Sequence, residues 1–206
     1  LLAAEGYIVF MPNYRGSIGR GVNFSKGDHK DLGGREFQDV LEGIDYLVDQ
    51  GFVDPERVGM GGGSYGGYFS ALAATLYSER FAAAVVFAGI SNWYSFTGTT
   101  DIPYEMSLVH WNLWTYDEPQ LTWERSPLAH LDKARTPTLI VHGEKDLRVP
   151  VGQSRELYRG LEMKGVDTRL VIYPREPHGL REREHQLDFI NRVMEWYDTY
   201  VKRETE

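Results

Sequence analysis

The sequence predicts an α/β protein with a mostly parallel, doubly wound sheet flanked by helices. Two observations predict it: β-rich apolar runs alternate with amphipathic segments of about ten or more residues, and loop-forming residues separate them. Strands that alternate with such helices pair in parallel through crossover connections. A chain of 206 residues with 42% hydrophobic and 25% charged residues can bury one core, so we expect a single domain over residues 1–206.

The first half of the chain predicts three strands and two helices. Residues 7–11 are a β-rich run ended by Pro12, which is typical of a buried strand. Apolar residues recur along residues 34–50 with the spacing of an amphipathic helix. The elements predicted next are a strand at 58–62, a helix at 68–77 and a strand at 81–87.

The second half begins with an aromatic-rich stretch without clear periodicity. It covers residues 89–130, and we interpret it as an insertion near the active site. Regular elements then resume, and the predicted ones are a strand at 138–142, a helix at 152–163, a strand at 167–173 and a closing helix at 182–201.

Composition excludes several classes of function. The formal net charge of -8 disfavours nucleic acid as a partner, and no apolar run approaches the roughly 18 residues of a membrane span. The absence of cysteine excludes disulfides and thiolate metal sites but leaves the compartment open, with the cytoplasm favoured. The histidines lack paired helical spacing, so we expect neither a metal nor a cofactor. The chain opens on Leu1, so its natural N-terminus is not visible.

A G-x-S-x-G motif points to nucleophilic catalysis. It has Ser64 at its centre, between a predicted strand and a predicted helix, as in the nucleophile turn of α/β-hydrolases. We expect Gly62 and Gly66 to allow close approach of the chain at this corner. The backbone N–H of Tyr65 would be one oxyanion donor, and a loop upstream of Leu1 would supply the other.

Two further residues complete a predicted catalytic triad in the order serine, acid, histidine. Asp146 follows the strand at 138–142, and His178 follows the strand at 167–173. Both lie at carboxyl ends of strands, where catalytic groups gather in open α/β sheets. We therefore expect His178 to act as the base and Asp146 to hold its imidazole.

Each role also has rivals in the sequence. Glu144 or Asp132 could replace Asp146 as the acid. His142 is expected to be a packing residue at a strand end. His185 lies in the closing helix, where an exposed position or an intrahelical pair is more typical than catalysis.

Aromatic residues in the insertion predict a pocket for an apolar acyl group or side chain. Trp93 and Tyr94 follow directly after the strand that ends at Gly89, and Trp111 lies further along. Any single one of them could be core filler, because tryptophan and tyrosine commonly pack in cores. As a group we expect them to contact substrate.

At these residues the chain resembles the catalytic domain of the prolyl oligopeptidase family, especially its acylaminoacyl-peptidase and dipeptidyl-peptidase-like members. The matching segments, in order, are Asn13-Tyr14-Arg15-Gly16-Ser17, Gly62-Gly63-Ser64-Tyr65-Gly66-Gly67-Tyr68, His142-Gly143-Glu144-Lys145-Asp146 and Glu176-Pro177-His178-Gly179. The resemblance implies cleavage of short peptides or acyl-peptides, often with a β-propeller ahead of the catalytic domain. Neither a propeller nor the family's His-Gly-Gly-Pro-like segment is present, so an esterase acting on small apolar esters and a non-catalytic interaction module remain alternatives.

The strand order of this fold also predicts a gap at the N-terminal side of the sheet. The chain would start just before the fourth strand, and the third would lie between residues 7–11 and 58–60. We expect an upstream segment, a separate chain or a second copy to fill the gap, or the sheet to have rearranged around it, since unpaired buried backbone groups are costly. Direct pairing of the two runs would refute this expectation.

Overall fold

The computed structural model describes residues 1–202 and forms a parallel sheet in the order β1-β2-β3-β4. The strands are β1 Gly59–Gly63, β2 Ala83–Phe87, β3 Thr138–Gly143 and β4 Thr168–Tyr173. Neighbours pair in parallel throughout, so the carboxyl ends of all these strands lie at one edge. The two central strands, β2 and β3, are almost entirely buried, which explains their continuous apolar runs.

Helices connect the strands. They are α1 Val22–Ser25, α2 Arg35–Asp49, α3 Tyr65–Ala74, α4 Trp93–Thr97, α5 Pro103–Glu105, α6 Pro119–Glu124, α7 Gly152–Met163 and α8 Arg183–Tyr197. Short 3-10 turns cover Leu2–Glu5, Ser78–Arg80 and Pro127–His130, and π-helical turns cover Met106–His110 and Asp198–Lys202. The predicted positions of the long helices are confirmed, except that α3 begins three residues earlier than expected, directly after the serine of the motif.

The core has a layer on each face of the sheet. Val86 and Ile140 point to the face covered by α3 and α7, where they pack with Leu157. Their neighbours on the alternate positions, Val85 and Leu139, pack beneath α8 with Trp196 and other residues. Side chains on successive strand positions point to opposite faces, so helices cover both sides. The doubly wound α/β prediction is confirmed.

The predicted buried strand at residues 7–11 is wrong for this structure. In the described part of the chain the run joins no strand ladder, and Ile8, Val9, Phe10 and Met11 are exposed. Two residues of the run still contact helical segments. The Tyr7 hydroxyl donates to Asp198 Oδ1 (2.7 Å), directly after α8, and the Phe10 ring lies against Gly43 of α2. An apolar run becomes a buried strand only beside a partner strand, and here β1 does not pair with it. The strand expected between them stays a prediction.

Candidate active site

Ser64 occupies the sharp turn between β1 and α3. Its backbone has φ 58° and ψ -116°, a conformation that side-chain-bearing residues seldom adopt, and it is the N-cap residue of α3. The Ser64 N–H donates to the carbonyl of Phe87 on the neighbouring strand (2.9 Å), and its own carbonyl accepts from Tyr68 N–H (2.9 Å). The strained turn is therefore held by hydrogen bonds on both sides, and it presents the serine at the carboxyl edge of the sheet.

The two motif glycines differ in what they allow. A Cβ at Gly62 would lie 2.7 Å from the carbonyl carbon of Gly66 and 2.8 Å from its Cα, so this position has no room for a side chain. A Cβ at Gly66 would meet nothing within 4 Å, and Gly66 has an ordinary negative φ within α3. The expected close approach is thus confirmed at Gly62, where the Gly66 backbone leaves no room for a side chain. The expectation that Gly66 must also be glycine is wrong, because a Cβ there would meet nothing.

Asp146 and His178 are brought together by the loops that follow β3 and β4. His178 Nδ1 lies 2.8 Å from Asp146 Oδ2, while Asp146 Oδ1 accepts from the N–H groups of Arg148 (2.9 Å) and Val149 (3.0 Å). The two loops are also tied through the backbone, since Lys145 N–H donates to Glu176 O (2.8 Å). With Nδ1–H committed to the carboxylate, Nε2 is the ring nitrogen left to accept a proton.

The Asp146 carboxylate is held in its ionised form. Burial would raise its pKa, but the hydrogen bonds from His142, His178 and the Val149 N–H outweigh this, so the pKa of Asp146 lies well below its usual range. The rival acids are placed differently. Asp132 and Glu144 are exposed, and Glu144 accepts a bond from Arg175 N–H (3.0 Å).

A second histidine touches the same carboxylate. His142, at the end of β3, is fully buried, and its Nε2 lies 3.2 Å from Asp146 Oδ2 and 2.7 Å from Val149 O. Its Nδ1 lies 2.6 Å from Ser154 Oγ. The sequence suggested only a packing role, yet both ring nitrogens have polar partners and one faces the predicted catalytic acid. Its place in the segment His142-Gly143-Glu144-Lys145-Asp146, at the end of a strand, was the available signal.

His185 serves a different partner. Its Nδ1 lies 2.7 Å from Glu176 Oε1, and its ring packs on Tyr173. Glu176 also accepts from the N–H groups of Arg181 (2.7 Å) and Glu182 (2.9 Å), ahead of α8. His185 therefore pairs mainly with a loop carboxylate, and its longer contact (3.8 Å) is to Oε2 of Glu182, the N-cap residue of its own helix. In residues 1–202, Glu176, Glu182 and His185 form the group that could hold a metal, but Glu176 already accepts protein donors, so nothing there indicates an ion.

The serine is not joined to the histidine in this structure. Among the described side chains, the Ser64 hydroxyl makes no hydrogen bond to His178. Both lie at the same edge of the sheet, because Ser64 directly follows β1 and His178 follows β4. Tyr65 is the first residue of α3, so its N–H has no intrahelical acceptor and is available to an oxyanion.

Of the aromatic residues predicted to contact substrate, two lie in the core and one lies at the surface. Trp93 and Trp111 are fully buried and pack edge to face, with ring centroids 5.4 Å apart. Tyr94 is 46% exposed and packs on Tyr116. The expectation that Trp93 and Trp111 contact substrate is corrected for this structure, since side chains enclosed in the core present no surface to a ligand. Tyr94 keeps its predicted role as a prediction.

Comparison with known proteins identifies the relationship. A family model described as the prolyl oligopeptidase family matches residues 1–204. The chain belongs to this family. The resemblance carried by the sequence motifs is thereby confirmed, and so is the α/β-hydrolase fold.

Named members of the prolyl oligopeptidase family align along nearly the whole chain. Dipeptidyl-peptidase 5 of Porphyromonas gingivalis is 32% identical over 98% of this chain and 30% of its own length. The acylamino-acid-releasing enzyme of Rattus norvegicus is 32% identical over 98% of this chain and 28% of its own length. Among solved structures, the acylaminoacyl peptidase of Pyrococcus horikoshii superposes with a TM-score of 0.85 at 30% identity, covering 94% of this chain and 32% of that one. The chain therefore spans about a third or less of these relatives.

The aromatic-rich stretch is anchored to the loop of Asp146. Asp101 N–H donates to Leu147 O (3.0 Å), Asp101 Oδ1 accepts from Arg148 Nε (2.7 Å), and Thr100 Oγ1 donates to Arg148 O (2.6 Å). Leu147 and Arg148 directly follow Asp146, so the stretch reaches the loop of the predicted acid. No helix within residues 1–202 is both long and apolar enough to cross a bilayer.

Proposed function

We propose that this chain forms the catalytic part of a serine peptidase that cleaves peptide or acyl-peptide bonds through an acyl-enzyme on Ser64. The observation that carries the proposal is the pairing of Asp146 with His178 Nδ1 (2.8 Å) at the sheet edge that also holds the strained Ser64 turn. A buried acid, a histidine oriented by it and a serine at a strand-to-helix turn are the parts that nucleophilic acyl transfer needs.

The reaction follows from these positions. His178 Nε2 takes the hydroxyl proton as Ser64 Oγ attacks the substrate carbonyl, and the Tyr65 N–H stabilises the oxyanion. His178 then gives the proton to the leaving amine, which departs and leaves the acyl group on Ser64. Water attacks this ester with His178 again as base, releasing the acid and restoring the serine. Asp146 stays ionised throughout and stabilises the imidazolium.

The names of the relatives support the proposal that the substrates are short or N-acylated peptides. Their names describe acylamino-acid release and dipeptidyl-peptidase activity, and one solved acylaminoacyl peptidase carries Z-Gly-Gly-Phe-chloromethyl ketone. We extend this to the present chain, with the exposed Tyr94 in the insertion at 89–130 as a contact for an apolar group. The net charge of -8 favours a small neutral or cationic substrate over nucleic acid.

A fluorophosphonate probe tests the activated serine directly. The protein should be labelled, Ser64→Ala should not, and His178→Ala should lose labelling and hydrolysis by at least about 10³-fold. His185→Ala is the matched control and should keep most of its activity, because its ring serves Glu176. No labelling of the natural protein would refute the proposal and favour a non-catalytic module.

A substrate panel separates the peptidase from the esterase. Acyl-peptides and aminoacyl nitroanilides should both be cleaved, and both activities should disappear in Ser64→Ala. Cleavage of p-nitrophenyl esters alone would contradict the peptidase assignment, because esters are intrinsically easier to hydrolyse than amides.

A further inference from the structure

A buried carboxyl group lies beside the nucleophile turn and has no part in the mechanism above. Glu36, in the first turn of α2, is fully buried. Its Oε1 accepts a hydrogen bond from the Tyr65 hydroxyl (2.7 Å) and another from the Gly33 N–H. Its Oε2 is buried without any hydrogen-bond partner in residues 1–202. Such an arrangement is costly, so a group kept there calls for a functional explanation.

Tyr65 connects this carboxyl to the reacting centre. It follows Ser64 directly, and its N–H is the oxyanion donor of the proposed mechanism. Its ring packs between Tyr68 (centroids 5.3 Å apart) and Phe69 (5.1 Å), while within residues 1–202 its hydroxyl is held only by Glu36. The hydroxyl bond therefore restrains the far end of a side chain whose backbone N–H must point at the substrate oxygen. Small errors in that direction matter, because oxyanion stabilisation depends on donor geometry.

We propose that Glu36 is a positioning residue for catalysis: in its ionised form it holds Tyr65 so that the Tyr65 N–H faces the oxyanion. The proposal rests on the proposed serine hydrolase function. The ionised carboxylate accepts both donors through charge-assisted bonds, which are stronger than neutral ones. Protonation would remove the negative charge on which both bonds depend, so the hydrogen bonds from Tyr65 and Gly33 would weaken to neutral ones and hold Tyr65 less firmly.

The surroundings of Glu36 move its change of charge toward neutral pH. Burial raises the pKa of Glu36 to about 7, against the opposing bonds from Tyr65 and Gly33. The other titratable groups that act electrostatically on this site are Tyr14, Arg15, Asp31, Tyr65, Tyr68 and Tyr77. The tyrosine pKa values are all raised above their ordinary range, chiefly by burial, so these side chains stay neutral. Arg15 is paired with Asp39, and Asp31 with Arg125 and Arg35.

The test is the slope of the acid limb of log kcat/KM against pH, measured on the full protein with an acyl-peptide substrate. Protonation of the base stops the reaction, and protonation of Glu36 should lower kcat/KM further, by up to the roughly 10-fold expected for loss of the Tyr65 contact, so the slope should rise clearly above 1 near pH 7. Glu36→Gln keeps an acceptor oxygen but cannot titrate. Its slope should fall to about 1, with a loss in kcat of only about 3-fold at pH 8 and little change in KM.

A second variant removes the Tyr65 hydroxyl, the other partner in the same hydrogen bond. Tyr65→Phe removes the hydroxyl and should lower kcat about 10-fold at pH 8, less than the 10²- to 10³-fold typical of deleting an oxyanion donor, with a slope of about 1. This variant decides the matter even if Glu36→Gln does not fold. Glu42→Gln, on the exposed side of the same helix, is the control and should keep the natural slope.

The outcomes distinguish this inference from the function on which it rests. A natural protein that reacts with the fluorophosphonate probe but has a slope of about 1, or variants that keep the natural slope, would overturn the role of Glu36 alone. A protein that does not react with the probe would overturn both. A purely structural Glu36 would lower stability in the variants without changing the slope.

Discussion

Replacing Gly62 with alanine should damage the nucleophile turn, while the same change at Gly66 should not. The added Cβ at Gly62 would lie 2.7 Å from the Gly66 carbonyl carbon, about 0.7 Å closer than the 3.4 Å at which ordinary contact begins. The neighbour is backbone, so the strand and the start of α3 must separate. Overpacking of this kind costs about 1 to 3 kcal/mol.

The same displacement should also reach the chemistry. Ser64 lies between the two glycines, and a misplacement of about 1 Å can lower a rate by about 10²-fold. We therefore expect Gly62→Ala to lose about 10- to 100-fold in kcat/KM. Gly66→Ala fits without contact and replaces glycine within a helix, so its free energy of unfolding should rise by up to about 1 kcal/mol.

Urea unfolding and hydrolysis of an acyl-peptide, measured on both variants, check this pair. If Gly62→Ala kept both its stability and its rate within about twofold, the close contact that we describe would not constrain the turn. A large loss in Gly66→Ala would equally contradict the argument, because the structure leaves space at that position.

Three further changes probe the neighbouring groups. Folding lowers the pKa of Asp146, so the stability that its carboxylate contributes is present above the ordinary aspartate pKa and is lost as the pH falls through the folded value. Asp146→Asn should therefore be about 1.5 to 3 kcal/mol less stable than the natural protein in urea at pH 7. This difference should shrink below about pH 4. His142→Leu leaves Ser154 Oγ and Val149 O without their ring partner, and calorimetry should show a loss of about 1 to 3 kcal/mol; unchanged stability would show that these buried contacts do not stabilise the fold. Tyr94→Ala should change the ratio of kcat/KM between apolar and small acyl groups without loss of stability. Trp93→Ala should instead lower the free energy of unfolding by about 3 to 5 kcal/mol, because its ring is buried. Unchanged selectivity in Tyr94→Ala would assign that residue a structural role as well.

The sequence could predict the elements whose pattern is local. Helices α2 and α7 have regular apolar spacing, and the predicted α7 range agrees with the structure at both ends. The G-x-S-x-G motif located the turn, because the sharp corner at Ser64, which has a positive φ, brings the backbone of Gly66 against Gly62 and leaves no room for a side chain there. The pairing of Asp146 with His178 could be predicted, because chain order and strand ends limited the choice.

The remaining features depend on packing between distant segments. A run such as residues 7–11 is apolar whether or not a strand pairs with it, so its sequence could not reveal its exposure. Trp93 and Trp111 have the composition expected of a pocket, but enclosure depends on what covers them. Glu36 was missed because an acidic residue in a first helical turn normally favours the helix dipole at the surface. Its signal was positional: it lies four and eight residues before Val40 and Ile44, on the buried face of α2.

The order of the proposed triad along the chain would allow activity to report on one strand pairing. Ser64 precedes the connection between β2 and β3, whereas Asp146 and His178 follow it, and that connection includes the exposed residues Leu108 and Val109. Opening the chain there would divide the protein into one piece carrying the proposed nucleophile and another carrying the proposed acid and base. Neither piece alone would hold a complete catalytic set. Hydrolysis by the mixture would then measure how well β2 and β3 re-form their parallel ladder, which makes the connection a natural place for a split reporter.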